Sequence, residues 1–444
     1  MECGWGSPEQ IAACIHFAKR WFQVAVDVAG FGSLALITLL VWLFRRLRKD
    51  LAKWEQDAER ERELRQFADS VATQAKHRAE LAESVADLAR KDLEELTERI
   101  QSGSDDHQKA IAEMHALLST ATARIDNALE VTKGGSNNFW ARPVVNRFQG
   151  YEHGIASSIP ILMFGNQKGG VGKSTLVSNL AAAFAERGER VLTVDLDYQG
   201  SHSSLAQLQA GRGSEEPESL VDYLFQDELS ADWPKLAIRR VTDSFHYIPA
   251  FYRFELEERR LEYQWALGEV ADDVRYRLAR ALLGREVQDT YDRVLIDAPP
   301  RFTLGFVNGF CASTHLYVPT VVDLLSTSAV SAFARQFSEL KPMVNPQIRW
   351  AGIIGTMTFP NRHNPMALTQ RANDAATEAE RAAQNRLQTH EPLFIRNPVI
   401  TRDADLARAT EKGIAYLNDS SVRPMFDSLA SVIEVQAPSR RTRP

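Results

Sequence analysis

The chain has 444 residues, of which 44% are hydrophobic and 25% are charged. This composition is ordinary for a globular protein and excludes a fully disordered or collagen-like chain, and the length corresponds to roughly two to three domains. The net charge of −6 argues against a protein that coats nucleic acid with a basic surface. The three cysteines lack the spacing of a zinc site or a disulfide framework.

An uncharged apolar run at residues 28–44 predicts a helix that spans a membrane. Extended to residues 21–44, it is long enough for a hydrocarbon core of about 30 Å, because a helix rises about 1.5 Å per residue. Four basic residues follow the run directly and two precede it. The positive-inside rule therefore predicts that residues 1–20 form a short tail outside the cytoplasm and that the rest of the chain lies inside. A cleaved signal peptide and a buried core helix are the alternatives.

Residues 45–132 predict a helical stalk, because they are rich in strong helix formers and contain no proline and a single glycine, Gly103. Apolar residues recur at spacings of three and four, most regularly at Ile111, Met114, Leu118, Ala121 and Ile125. This pattern favours a coiled coil that self-associates. The turn sequence around Gly103 leaves an antiparallel hairpin open, and a single solvated helix is the third alternative. The composition then changes at KGGSNNFWARP, which predicts a linker over residues 133–157.

A glycine-rich loop, KGGVGKST, lies between an apolar run and a helical pattern that ends at Gly188. Strand, glycine loop and helix in this order predict a phosphate-binding loop. Glycine lets backbone N–H groups converge on phosphate oxygens, and the helix N-terminus adds partial positive charge. We expect Lys173 to neutralise the β- and γ-phosphates and Ser174 to bind Mg²⁺. The predicted nucleotide-binding residues are Lys168, Gly169, Gly170, Val171, Gly172, Lys173, Ser174 and Thr175.

Two further apolar runs end in aspartates: RVLTVDLDYQGS carries Asp195 and Asp197, and YDRVLIDAPP carries Asp297. Because the carboxyl ends of parallel strands face the ligand crevice, we expect all three carboxylates near the nucleotide. The predicted ligands of Mg²⁺ are Ser174, Asp195 and Asp297. For Asp195 the alternative is a carboxylate that caps a turn.

Apolar runs at 316–320 and 351–357 continue the alternation of strands and helical stretches. This alternation predicts an α/β fold, a doubly wound and mostly parallel sheet with helices on both faces. We expect this domain to cover residues 158–436. The short basic segment 437–444, APSRRTRP, predicts a disordered tail.

The loop KGGVGKST resembles the deviant Walker A motif of the ParA/MinD family, because Lys168 lies five residues before Lys173. DLDYQGS and YDRVLIDAPP are similar to two further segments of that family, and the similarity continues to Ile433. The resemblance implies a P-loop NTPase fold, ATP with Mg²⁺, slow hydrolysis, and a homodimer that holds two nucleotides between its subunits. It also implies that Lys168 crosses to the partner's phosphates and that Asp197 orients the attacking water. Lys168, Lys173 and Asp197 are therefore the predicted catalytic residues.

The chain also departs from the family pattern. The stretch 212–290 is longer and more charged than expected, and Arg301 stands where the family more often has a small residue. In one interpretation Arg301 reaches the nucleotide or a partner. In the favoured interpretation its side chain only pairs with another residue on the surface of the domain. Arg362, Arg396 and Arg402 lie near positions of DNA-binding arginines in the family, but DNA contact is not favoured, because surface arginines are usually only solvated.

Together these features predict an ATPase anchored in the bacterial inner membrane by one helix. Its two tethered heads act as a nucleotide switch for a cytosolic protein partner, and the stalk permits a higher oligomer. A tyrosine autokinase of polysaccharide export is one alternative; the single predicted span and the absence of tyrosine after Tyr416 argue against it. A non-hydrolysing nucleotide-binding scaffold is the other, and the full set of motif residues argues against it.

Overall fold

The computed structural model describes residues 157–322, 326–358, 368–401 and 404–442, and residues 116, 119, 140, 141 and 151. The predicted membrane helix (21–44), all of the predicted stalk (45–132) except residues 116 and 119, and both Arg362 and Arg402 lie outside these residues. Among the helices described, none is long and apolar enough to cross a membrane.

One eight-stranded sheet organises the domain. Its strands are β1 (Ile161–Phe164), β2 (Val191–Asp195), β3 (Arg239–Arg240), β4 (Phe245–Ile248), β5 (Arg293–Asp297), β6 (His315–Val321), β7 (Arg349–Thr356) and β8 (Phe394–Ile395). The strand order is β3-β4-β2-β5-β1-β6-β7-β8. Strand β3 is antiparallel to β4, and every other neighbouring pair is parallel. The prediction of a mostly parallel sheet is confirmed.

Helices cover both faces of this sheet. They are α1 (Lys173–Glu186), α2 (Ser201–Gln209), α3 (Trp233–Ala237), α4 (Arg253–Ala266), α5 (Arg277–Leu282), α6 (Arg285–Gln288), α7 (Leu304–Ala312), α8 (Ser326–Val344), α9 (Gln370–Leu387), α10 (Ala404–Thr410), α11 (Ala415–Asn418) and α12 (Arg423–Gln436). Short 3-10 helices lie at Val221–Phe225 and Val274–Tyr276. Helices α1 and α10–α12 pack in one apolar core, and α4, α5 and α7–α9 pack in the other.

The central strand β1 shows why the sequence gives this arrangement. All four of its side chains are buried, as expected for a parallel strand that is covered on both faces. Ile161 and Met163 enter one core, whereas Leu162 and Phe164 enter the other, because successive side chains of a strand point to opposite faces. Strand β1 therefore joins the two layers, and its carboxyl end leads into the glycine loop.

Two described residues of the predicted linker (133–157) are part of the core. Trp140 is 3% exposed, its ring stacks on Trp265 with centroids 5.8 Å apart, and its carbonyl oxygen accepts a hydrogen bond of 2.7 Å from Arg275. Tyr151 is fully buried, and its hydroxyl donates to the Cys311 carbonyl oxygen at 2.7 Å. These two aromatic side chains are therefore anchored in the domain, because large rings bury much apolar surface, while the linker over residues 133–157 stays a prediction.

The predicted disordered tail (437–444) is also ordered where the structure describes it, up to residue 442. Ala437 and Ser439 are buried, and the Ala437 carbonyl oxygen accepts a hydrogen bond of 2.8 Å from Arg293. Arg441 lies 3.1 Å from a carboxylate oxygen of Asp292. The structure therefore differs from the prediction of disorder at these residues, because Arg441 has an acidic partner and Arg440 donates to the Ser158 hydroxyl and the Gln288 carbonyl oxygen.

Candidate nucleotide-binding site

The glycine loop takes the backbone conformation that a phosphate cradle needs. Gly170 and Gly172 have φ values of 71° and 77°, in the left-handed region that favours glycine. Gly172 directly precedes α1, and a Cβ placed on Gly169 or Gly170 meets no atom within 4 Å. The first turn of α1 therefore points its free N–H groups toward an open space beside the loop, which suits an anion.

Hydrogen bonds to β6 and β7 hold this loop in place. The buried side chain of Asn166 donates to the Pro319 carbonyl oxygen at 2.7 Å and accepts from the Lys168 N–H at 3.0 Å. The Thr356 hydroxyl donates to the Val171 carbonyl oxygen at 2.8 Å. Asn166 was not among the predicted site residues; it is a positioning residue, and its place just before the glycine loop was the only sequence signal for it.

Lys173 is the buried cation of the site. The residue is 6% exposed, and its Nζ donates to the Lys168 carbonyl oxygen at 3.3 Å. Burial lowers the pKa of Lys173, and the carboxylates of Asp297 and Asp197 act in the opposite direction. The structure therefore brings together one lysine and two carboxylates that are far apart in the sequence. Lys168 itself is partly exposed.

Asp297 ends β5, is fully buried, and has no hydrogen-bond partner on either carboxylate oxygen. Burial raises the pKa of Asp297 to about 7; the Ser174 hydroxyl and Lys173 oppose this shift, and Asp197 adds to it. A buried carboxylate without partners is costly, so its presence indicates a cation that is to be bound there.

Asp197 lies in the loop after β2 and is 8% exposed. One of its carboxylate oxygens accepts a hydrogen bond of 3.0 Å from the Gln199 N–H. Burial raises the pKa of Asp197, while the Gln199 N–H, Lys173 and Arg301 lower it. These three groups oppose the effect of burial, and the second carboxylate oxygen of Asp197 is an acceptor that could bind a water molecule.

Asp195 has protein hydrogen-bond donors on both carboxylate oxygens. One of its oxygens accepts from the Asp197 N–H at 3.0 Å, and the other accepts from the N–H and hydroxyl of Ser203 at 2.9 and 2.7 Å. Ser203 lies in the first turn of α2, so Asp195 caps that helix. These contacts favour the alternative of a capping carboxylate, and the assignment of Asp195 as a metal ligand stays a prediction.

The remaining residues fit ATP and Mg²⁺. No cluster of three or more acidic, histidine or cysteine side chains forms a metal site in the part of the chain that the structure describes. Mg²⁺ commonly takes only one or two protein ligands and completes its shell with phosphate oxygens and water. The Ser174 hydroxyl and the unpartnered Asp297 carboxylate match that requirement beside the glycine loop.

Comparison with known proteins identifies the family. Residues 159–350 match the family described as AAA domain. The chain is 32% identical over 203 residues to the chromosome-partitioning ATPase Soj of Thermus thermophilus. The aligned region makes up 46% of this chain and 71% of that relative. It is also 32% identical over 202 residues to the chromosome partitioning protein ParA of Caulobacter vibrioides, and the alignment again covers 46% of this chain and 71% of the relative. The chain belongs to the ParA/Soj family.

Among solved structures, the chain is similar to cobyrinic acid a,c-diamide synthase from Mycobacterium smegmatis with bound ATP analog and magnesium. The identity is 25% and the TM-score 0.47, over 63% of this chain and 99% of that chain. As a member of the ParA/Soj family, the protein is an ATPase. The prediction of an ATPase is confirmed.

A second group of polar residues at this ParA/Soj site was not predicted. His202 is buried between the hydroxyls of Ser178, at 2.7 Å, and Thr193, at 2.6 Å. Ser178 in turn donates to the Ser174 carbonyl oxygen at 2.8 Å. Burial lowers the pKa of His202 to about 3, so the ring is neutral and joins α2 to the first turn of α1. The only sequence signal was the polar run SHSS directly after Gly200.

Two of the singled-out arginines are described by the structure. Arg301 is exposed and donates a hydrogen bond to the Tyr198 hydroxyl, with its guanidinium carbon 5.6 Å from the Tyr198 ring centroid. This contact is the surface pair that the sequence favoured. Arg396 forms an ion pair of 2.5 Å with Glu380 and donates to Asn373 at 2.6 Å. Its guanidinium therefore has partners within the domain.

Proposed function

We propose that this ParA/Soj-family ATPase is a membrane-anchored nucleotide switch. ATP closes two copies of the domain around two nucleotides, hydrolysis reopens them, and the closed state is recognised by a cytosolic protein. The observation that carries the proposal is the arrangement at the glycine loop, where Lys173 faces Asp197 and an unpartnered, buried Asp297.

The residues divide the chemistry between them. Backbone N–H groups of residues 169–175 and the Lys173 ammonium bind the phosphates, while Ser174 and Asp297 hold Mg²⁺. When bound, Mg²⁺ offsets negative charge on the phosphate oxygens. Asp197 orients the attacking water by accepting its hydrogen bond, and Lys168 contacts the phosphates of the partner copy. The lysines supply positive charge where negative charge develops during hydrolysis.

The membrane anchor in this proposal comes from the apolar segment 21–44 and its basic flank. A transmembrane helix is an effectively irreversible anchor, so ATP would control closure of the heads and not their recruitment to the membrane. If the segment 45–132 pairs two chains, both heads remain at an effective concentration of about millimolar. A partner at the membrane would then meet either open or closed pairs.

Crosslinking in membranes tests the switch. The full chain carries Asp197→Ala to block hydrolysis, Cys3→Ser and Cys14→Ser to remove two thiols, and Tyr252→Cys as a reporter. Tyr252 is 65% exposed and follows β4 at the carboxyl edge of the sheet, whereas Cys311 is buried. We expect ATP with Mg²⁺ to raise disulfide-linked dimers several-fold over the nucleotide-free sample. No increase would contradict the switch.

A matched variant and a fractionation experiment separate the parts of the proposal. Adding Lys168→Ala should abolish the ATP-dependent crosslink while ATP still binds, because only the contact across the dimer is removed.

The full chain should remain in the membrane pellet after alkaline carbonate extraction, and Leu36→Glu with Leu39→Glu should release it. Release of the unaltered chain would show that the anchor assignment is wrong while leaving the ATPase intact.

A further inference from the structure

A buried glutamate of α4 lies behind the hydrolytic loops and has no role in the mechanism above. Glu258 is 4% exposed and belongs to the inner face of α4, with Phe254 and Leu261. Its Oε1 accepts a hydrogen bond from the Thr303 hydroxyl at 2.8 Å and another from the Gly305 N–H at 2.5 Å. Its partners therefore lie at the beginning of α7, the helix that follows Asp297.

Glu262, one turn further along α4, completes this contact. Its Oε1 accepts from the Leu304 N–H at 3.1 Å. Helix α7 is buried along its whole length, so its first N–H groups have no access to water and need protein acceptors. Thr303, at the N-cap, gives no side-chain cap and donates to Glu258 instead. Glu258 and Glu262 of α4 therefore cap the N-terminus of α7 in place of a side chain of α7 itself.

The same turn of α7 packs against the loop that carries Asp197. A Cβ on Gly305 would lie 2.7 Å from the Glu258 carboxylate and 3.3 Å from the Leu196 carbonyl oxygen. Leu196 stands between the two aspartates of the loop, and its N–H donates to the Asp297 carbonyl oxygen at 3.0 Å. The first turn of α7 is thus held between α4 on one side and the segment 195–197 on the other.

We infer that Glu258, assisted by Glu262, is a positioning residue for ATP hydrolysis. By holding the first turn of α7, it fixes the loop 298–303 after Asp297 and, through Leu196, the loop that carries Asp197. This inference rests on the hydrolytic part of the proposed function and is independent of membrane anchoring.

The electrostatics of Glu258 agree with this arrangement. Burial raises its pKa to about 8; Glu262 and Asp197 add to the shift, and the donors Thr303 and Gly305 oppose it. Near neutral pH the carboxyl is therefore largely protonated and accepts hydrogen bonds through its carbonyl oxygen. An amide keeps that acceptor, so Glu258→Gln is a close mimic, whereas Glu258→Leu keeps the volume and removes both hydrogen bonds.

The experiment compares these two variants in the full chain in detergent, with phosphate release, affinity for a fluorescent ATP analogue and thermal unfolding as readouts. We expect Glu258→Leu to lower kcat about 10- to 100-fold, because small displacements of reacting groups cost this much. ATP affinity should change by no more than about threefold, because the glycine loop is not touched. Glu258→Gln should keep kcat within about threefold of the unaltered chain.

A matched control separates positioning from stability. Gln288 is buried at the opposite end of the sheet, where it accepts from the Ser158 N–H at 2.8 Å and donates to the Leu282 carbonyl oxygen at 2.8 Å. Gln288→Leu should lower Tm and leave the kcat of the folded fraction unchanged. If Glu258→Leu behaves like this control, the inference is overturned.

A second variant covers the case in which Glu258→Leu does not fold. Gly305→Ala keeps both carboxylates but forces α4 and α7 apart, and we expect kcat to fall about 10-fold with ATP affinity kept. An unchanged kcat in Gly305→Ala would overturn the inference. Loss of ATP binding or of all hydrolysis in the unaltered chain would instead refute the proposed function itself.

Discussion

The two ends of the central strands carry acidic groups in opposite states. At the amino end of β5, Arg293 is fully buried between Glu189, at 2.9 Å, and Glu434, and its guanidinium carbon lies 4.1 Å from the Phe184 ring centroid. At the carboxyl end of the same strand, Asp297 is equally buried and has no hydrogen-bond partner. The strand thus begins beside two carboxylates that share a buried arginine, and it ends in a carboxyl group that lacks a hydrogen-bond partner and has Lys173 as its nearby cation.

This difference separates structural from functional acids. At the amino end, the carboxylates of Glu189 and Glu434 share the Arg293 guanidinium, which ties α12 to the sheet and opposes the rise in the Glu189 pKa that burial causes. The carboxylate of Asp297 is left for a cation that the nucleotide brings, and the fold bears that cost in its absence. Natural sites commonly hold such unfavourable groups where a ligand is to complete them.

Removing the buried arginine should give the largest effect. We expect Arg293→Met to lower the free energy of unfolding by about 3–5 kcal/mol, because the buried Glu189 then loses its partner. Urea denaturation measures the change. Arg190→Met is the matched control: Arg190 lies 3.5 Å from Asp292 but is 44% exposed, so we expect a loss of about 1 kcal/mol or less. Equal losses in the two variants would contradict the comparison.

Removing the charge of Asp297 should change the free energy of unfolding in the opposite direction. We expect Asp297→Asn to abolish hydrolysis and to stabilise the Mg²⁺-free protein by about 1–3 kcal/mol at pH 8. The pKa of Asp297 is about 7 in the folded chain, above its ordinary value. Its destabilisation is therefore absent below about pH 4 and grows as the pH rises through about 7. The advantage of the variant should shrink towards pH 5 in EDTA; a less stable variant at pH 8 would show that Asp297 has partners in the protein.

Arg301 should give the smallest effect. Its contact with Tyr198 is exposed and contributes little stability, but its charge favours the ionised form of Asp197. We expect Arg301→Ala to slow phosphate release by less than about 10-fold and to change the free energy of unfolding by less than about 0.5 kcal/mol. Arg253→Ala, the control on the same edge, should leave phosphate release unchanged, although it removes the ion-pair partner, at 3.2 Å, of the buried Asp222 carboxylate. A loss of about 100-fold or more would place Arg301 among the groups that contact phosphate.

The sequence predicted the parts of this site that depend on local pattern. The run VLTVD is β2, VLIDA overlaps β5 with a shift of one residue, and LYVPT and AGIIGTM overlap β6 and β7. The glycine loop was recognisable because its chemistry lies in consecutive residues. Short strands such as β4 and β8 were missed, since two to four residues carry too little periodicity to be distinguished from loops.

What the sequence could not give were contacts between distant segments. The spacing of Asp195 and Asp197 does not tell which carboxylate turns toward Ser203, so only the folded loop distinguishes a cap from a ligand. Glu258 lies in a charged helix whose inner face is defined only by α7. The sequence predicts disorder for the segment 437–442, because the residues that bind this segment, Arg293 and Asp292, precede it by more than a hundred residues.

The burial of Trp140 has a mechanical consequence. If the predicted stalk ends at residue 132, at most about 30 Å of extended chain lies between it and this anchored indole. Trp140 packs against Trp265, on the same helix that carries Glu258. A force applied to the chain just before Trp140 would therefore act on α4, and through α4 on the turn beside Asp197, so that such a force would change the rate of ATP hydrolysis.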